Sequence, residues 1–222
     1  MSTEHTEATR WKVSIAKAQF DALKKKEEFW GLVALSRAVN ELRFVQMPLV
    51  HHENDNSPAS MRARYNSLLF SCALFVESCL LVQKLNKHFG QMNEFQELAK
   101  VTTKSKEAQE LLNTSLFDLR NQLVFHFAID EIGKQLETLE LGDPIFVSAM
   151  GKTNSQVYYE LADLCAARAF SKPLPQDDAA ALAAIGKRAE AISDLILAFS
   201  TKAESLIVEV LMKQGWQRED VL

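Results

Sequence analysis

Residues Ser57 to Gly90 read SPASMRARYNSLLFSCALFVESCLLVQKLNKHFG, and their periodicity decides the fold. A serine followed by a proline is a helix start: the hydroxyl caps the first free N–H groups, and proline at the first helical position loses no hydrogen bond. Behind it Tyr65, Leu68, Leu69, Cys72, Phe75, Val76, Cys79 and Val82 recur at spacings of three and four, which places them on one helical face. Phe70, Leu74 and Leu81 form a second apolar face, with Glu77 among them. A helix that is apolar nearly all round has neighbours on most sides, so this one is predicted at the centre of the fold. It is expected to end near His88, with Gly90 as a left-handed cap. The run from Ser67 to Val82 carries Glu77 and falls short of the roughly 20 residues that cross a bilayer, which predicts a core helix and no membrane association.

Upstream, apolar residues recur at helical spacing from about Glu7 to Lys26 and from about Glu28 to Met47, with a bend expected at Trp30-Gly31 and a polar loop from His51 to Asn56. Downstream, a short helix is predicted from Asn93 to Val101 and a break from Thr102 to Ser105. A further helix is expected from Lys106 to about Phe127, then another from Ala128 to Leu139. Gly142-Asp143-Pro144 closes that region, and Ile145 to Met150 is the one segment that reads as extended. Thr153 with Gln156 forms a capping box for a helix through Phe170, and Lys172-Pro173-Leu174-Pro175 is a linker. Beyond it Leu182, Ile185, Ala189, Ile192, Ile196, Phe199, Ala203, Leu206 and Val210 alternate spacings of three and four, the seam of a long helix that stops at Gly215.

The expectation is an all-α helical bundle of about six to eight helices with a long C-terminal helix, a single domain over residues 1–222 with its core at about 58–140 and a C-terminal helical segment at 176–215. Composition agrees, because 7 glycines and 5 prolines in 222 residues are too few for the turns of a sandwich or barrel. A net charge of -4 supplies no long-range attraction for duplex nucleic acid. Basic residues cluster at Arg10, Lys12, Lys17 and Lys24 to Lys26, but Glu7, Asp21, Glu27 and Glu28 interleave with them, as on a solvated helix face. Cys72 and Cys79 lie seven residues apart on one helix, about 10 Å and too far for a disulfide. With Cys165 they read as reduced, buried thiols. Met1 to Glu7 is polar and has no apolar stretch behind a charged start, so no secretory signal is expected and a cytoplasmic location is. Asn113-Thr114-Ser115 fits the glycosylation pattern without consequence in that compartment.

One motif carries chemistry. In Arg120-Asn121-Gln122-Leu123-Val124-Phe125-His126, the residues Leu116, Leu119, Leu123 and Phe127 make an apolar stripe on the helical wheel. Arg120 and His126 border that stripe on opposite sides, about 120° apart at the helical pitch. Two ionisable groups flanking a buried surface are either paired inside or open to a cleft. An arginine, a polar residue and a histidine at this spacing, on a helix of an all-α bundle, resemble the signature of the HEPN superfamily of helical RNA-cutting and nucleotide-binding domains. The resemblance covers these seven residues directly and the helical layout from Pro58 to Leu139 more loosely.

The resemblance implies metal-independent RNA cleavage in a homodimer whose motif helices face one another. His126 would move a proton near neutral pH, Arg120 would hold the phosphate, and Asn121 would orient substrate or partner. Glu77 fits the acidic residue that HEPN-like domains carry on the helix packed against the motif, and Arg120 or His126 is its expected partner. A nucleotide-attachment tyrosine found two residues after the histidine in one branch of the family is replaced by Ala128. No cofactor and no metal are implied, and the partners implied are RNA or a nucleotide, a second copy of the chain and an antitoxin-like protein. Two other readings of the same residues stay open: a structural network of Glu77, Arg120 and His126, and a non-catalytic module that binds a nucleotide or a protein. His51-His52-Glu53-Asn54-Asp55 contains possible metal ligands, but neighbours in a loop rarely converge on one ion, and a polar interhelical loop is the reading taken.

Overall fold

The computed structural model describes residues 10–51, 55, 57–111, 129–137, 161, 165 and 178–221. Among these, seven helices run in the order α1 (Lys17–Leu23), α2 (Glu27–His51), α3 (Pro58–Phe89), α4 (Asn93–Lys100), α5 (Lys106–Leu111), α6 (Ile129–Glu137) and α7 (Asp178–Lys213). The molecule is an all-α bundle with a long C-terminal helix, to which one two-stranded ribbon is added at the chain ends.

α3 begins where Ser57-Pro58 says it should. The Ser60 backbone N–H donates to Ser57 Oγ at 3.3 Å, and Pro58 sits in the first turn. Asp55 fixes the approach to that cap by accepting from the Ser57 N–H at 2.8 Å. The helix ends at Phe89 as the spacing predicted, but Gly90 has φ -55 and is right-handed, not the expected left-handed cap. What requires glycine there is space: a Cβ would lie 2.5 Å from the Asn86 carbonyl oxygen, to which the Gly90 N–H donates at 2.9 Å.

α2 packs along α3. The Ser67 hydroxyl donates to the Val45 carbonyl near one end of the pair, and Lys87 meets Glu27 near the other, so the two helices are antiparallel. The expected bend at Trp30-Gly31 is absent, because both residues lie inside α2. Gly31 instead meets Leu85 of α3, whose Cδ2 occupies the space of a Cβ. The chain turns earlier, at Lys24 to Lys26, where the Trp30 indole N–H donates to the Lys24 carbonyl at 2.6 Å. α2 also outlasts its expected end at Met47 and takes Pro48 into its last turns, at the loss of one backbone donor.

The helix expected from Glu7 to Lys26 is corrected in its first half. Arg10–Ser14 is strand β1, paired antiparallel with β2 (Gln217–Val221) in the register Arg10 to Val221 through Ser14 to Gln217. Trp11 and Val13 alternate with Arg10, Lys12 and Ser14, the period of a strand, but the helical spacing of the longer stretch masks it, and the pairing partner lies at the opposite end of the chain. Residues 145–150, expected to be the one extended segment, lie outside the described residues, as do the capping box at Thr153 and the linker at 172–175.

The core lies between α2, α3, α4 and α7: Leu35 and Leu42, then Phe75 and Val82, then Phe95 and Leu98, then Ile192, Ile196, Phe199, Ala203 and Leu206. Phe75 meets Phe199 edge to face with ring centres 6.1 Å apart. The heptad-like seam of α7 is therefore buried within the chain from Ile192 to Leu206. Arg43 ties α2 to Glu204 of α7, and Lys202 of α7 stands 3.7 Å from Glu97 of α4. α7 stops before Gly215, whose φ of +75 is the left-handed conformation that glycine tolerates. By length and composition the stretch Arg62–Phe89 is able to cross a membrane, but 61% of its apolar window is buried inside the protein, which is the behaviour of a core helix.

Candidate functional site

Of the four residues singled out by the motif, the structure describes Glu77; Arg120, Asn121 and His126 lie outside the described residues. Glu77 is half-buried on α3, two positions after fully buried Phe75 and one after Val76, which face the core. The face it shares with Phe70, Leu74 and Leu81 was expected to be sealed. It is instead partly open: Phe70 is 47% exposed, and Leu74 and Leu81 are only partly covered. The reason is the small size of Ala34 and Ala38 opposite, which cannot fill the space beside α3.

The result is a groove between α2 and α3 of about 250 Å³, in which Glu77 stands with Arg37, Glu41 and Lys84. Arg37 Nε donates to Glu41 Oε1 at 2.6 Å, one turn away on α2. The Arg37 side chain is 75% exposed, and a second guanidinium nitrogen also meets Glu41. Glu77 is itself engaged in a polar interaction. Past Lys84 the groove widens into a space of about 530 Å³ flanked by Trp30, Lys87 and His88. There Lys87 bonds Glu27 and holds its carboxyl below the ordinary value of 4.5, with a smaller contribution from His88. The whole surface alternates cations and carboxylates. Such a lining suits a ligand that carries both an anion and hydrogen-bond donors, because each charge meets a partner.

Sequence reading did not select Arg37 or Lys84, since each looks like an ordinary solvated cation on its own helix. Only the antiparallel packing of α2 on α3 brings them beside Glu77. Two basic residues of the N-terminal stretch, in contrast, are found with acids that interleave them: Lys24 is 2.6 Å from Asp21, and Lys26 is 3.8 Å from Glu28.

The thiols offer no nucleophile. Cys72, Cys79 and Cys165 are buried and form no disulfide. Burial pushes the Cys72 thiol far up and the Cys79 thiol up to about 12, so both stay protonated at neutral pH. Among the described residues no group of three or more His, Cys, Asp and Glu side chains is placed to hold a metal ion. In the loop after α2, residues 52–54 and 56 lie outside the described residues, and Asp55 is committed to the start of α3. Compared with protein-family models, with curated proteins and with solved structures, the chain matches none.

Proposed function

We propose that this chain is a HEPN-like, metal-independent endoribonuclease of the toxin or phage-defence kind, acting in the cytoplasm as a homodimer and restrained by an antitoxin-like protein. The observation that carries the reading is the place of Glu77: a carboxylate on the central helix of an all-α bundle, on the wall of an open groove beside Arg37 and Lys84. It supports the reading because the motif needs an acidic residue of the central helix near a solvent-open cleft. In the reaction the RNA 2′-oxygen attacks phosphorus, the bond to the 5′-oxygen breaks, and a 2′,3′-cyclic phosphate is left. His126 accepts the proton of the 2′-hydroxyl, the partner subunit's His126, protonated, supplies one to the departing 5′-oxygen, Arg120 neutralises the phosphorane, and Asn121 orients the sugar-phosphate. Glu77 positions the arginine or histidine. The dimer is expected to form through the motif helix, the C-terminal helix or both.

A second reading has its own observation. Glu77 is already engaged in a polar interaction, as a member of a purely structural network would be. In that case the protein is a non-catalytic helical module that binds a protein or a nucleotide.

Incubation with mixed RNA in EDTA separates them, using wild type beside Arg120→Ala, His126→Ala and Glu77→Gln. The ribonuclease reading expects cleavage by wild type and a loss of about 100-fold or more with either motif variant, the scale of general acid–base catalysis. No cleavage by wild type, or equal cleavage by all four proteins, rejects it. Lower melting temperatures in the three variants, with no activity to lose, establish the network.

A further inference from the structure

At the end of the bundle where α2 begins, α3 stops and α7 gives way to β2, the side chains line a partly open pocket of about 180 Å³. Its apolar wall comes from Phe29, Leu32, Phe89 and Leu211. Trp216 and His88 complete it, and both bring a polar atom. Trp216 Nε1 and His88 Nε2 are buried, and neither has a hydrogen-bond partner among the described residues. The acid nearest to His88, Glu27, stands 3.8 Å from Nε2, beyond hydrogen-bond length.

The position of Trp216 is imposed by the chain around it. Gly215 turns the backbone at φ +75, the Trp216 N–H donates to the Leu211 carbonyl at 3.3 Å, and the next residue enters β2. The indole is held against Phe29 with ring centres 6.3 Å apart, and Phe29 meets Phe20 edge to face at 6.2 Å. An indole N–H is a donor only, and a buried donor without an acceptor is costly. Histidine is able to donate from Nε2 as well. Two donors in an apolar wall define an occupant: it must present an acceptor to them and an apolar body to the rest.

Size narrows the class further. A space of about 180 Å³ is below the roughly 300 Å³ at which drug-sized pockets begin, and slightly above the ~150 Å³ apolar cavity that accepts benzene. We propose that this cavity binds a single-ring aromatic carboxylate or carbonyl compound, with its ring against Phe29, Leu32 and Phe89 and its acceptor oxygen on Trp216 Nε1 and His88 Nε2. Lys213 at the same site already pairs with Glu209 at 3.0 Å, and Glu28 opposes an anion placed on its side, so the acceptor oxygen is placed by the two donors alone. The occupant bridges α2, α3 and the end of α7, so it ties the terminal ribbon to the bundle. The site shares His88 with the widened end of the α2–α3 groove, and its test does not depend on any ribonuclease activity.

Benzoate, benzylamine and benzene are the probes, and the indole N–H resonances of the full chain are the readout. The chain has 3 tryptophans, so Trp216→Phe assigns the relevant peak by its absence. Benzoate is expected to move the Trp216 indole resonance saturably and to raise the melting temperature, and benzylamine is expected to do neither. Trp216→Phe is expected to weaken benzoate binding at least tenfold, and Leu211→Phe, which fills the cavity, to abolish the shift. The proposal is overturned if no probe moves the resonance, as for a cavity that holds only water. It is equally overturned if benzylamine or benzene binds as well as benzoate, or if the shift survives Leu211→Phe. The wild-type titration stands even where a variant fails to fold.

Discussion

Gly31 shows how one residue sets the spacing of two helices. With no Cβ, it lets Leu85 Cδ2 press directly on the backbone of α2. Gly31→Val should destabilise the fold by about 1–3 kcal/mol through overpacking, read as a lower midpoint in urea denaturation with unchanged slope. A fall of less than about 0.5 kcal/mol, the scale of an ordinary surface change, would show that the helices move apart freely. The Glu27–Lys87 pair makes a different kind of claim. The Glu27 carboxyl titrates below its ordinary 4.5 because Lys87 bonds and attracts it. A depressed folded-state value means stability that is present above pH 4.5 and fades as the pH falls through the folded value. Lys87→Ala should therefore raise the Glu27 value toward 4.5 in an NMR titration, and an unchanged value would mean that the pair does not persist in solution. Its effect on stability should be slight, since both side chains are more than half exposed.

At the scale of elements, what sequence revealed and what it hid follow from the range of the interactions. The start of α3 was legible because Ser57 and Pro58 act on the next turn of the same chain. The α7 seam was legible because nine positions repeat one spacing, and Ile192, Ile196, Phe199, Ala203 and Leu206 are indeed buried. β1 was not legible, since its ladder partner lies at the far end of the chain. Nor was the role of Trp30-Gly31: a bulky residue before glycine looks like a bend until Leu85 is seen to fill the space. The ribbon and the seam should also differ in energy. Phe199→Ala is expected to cost about 3–5 kcal/mol and to lower the Tm by roughly 6–20 °C, because it empties a fully buried site against Phe75. Removing residues 217–222 should lower the Tm by less and leave the helical circular dichroism intact. A larger fall on truncation would make the ribbon, rather than the seam, the element that holds α7.

For the whole molecule, one of the four candidate site residues, Glu77, is described, while Arg120, Asn121 and His126 lie outside the described residues. Glu77 stood out as a carboxylate on an apolar face, and its face proves to border a groove. Arg37 and Lys84 were hidden, because their meaning depends on two helices lying antiparallel. Trp216 and His88 were hidden for the same reason, being far apart in sequence and joined only where α3 and α7 end together. The net charge of -4 sets how any RNA would be met. Attraction has to come from local cations such as Arg37 and Lys84, so cleavage should weaken with added salt less steeply than for a protein with a broad basic face. The most direct measurement is the chemistry of the RNA ends after incubation in EDTA, by mass spectrometry of the fragments. The account predicts 2′,3′-cyclic phosphates facing 5′-hydroxyls, formed by wild type and not by His126→Ala. Intact RNA, fragments with 5′-phosphates, or cyclic ends that persist in His126→Ala would contradict it.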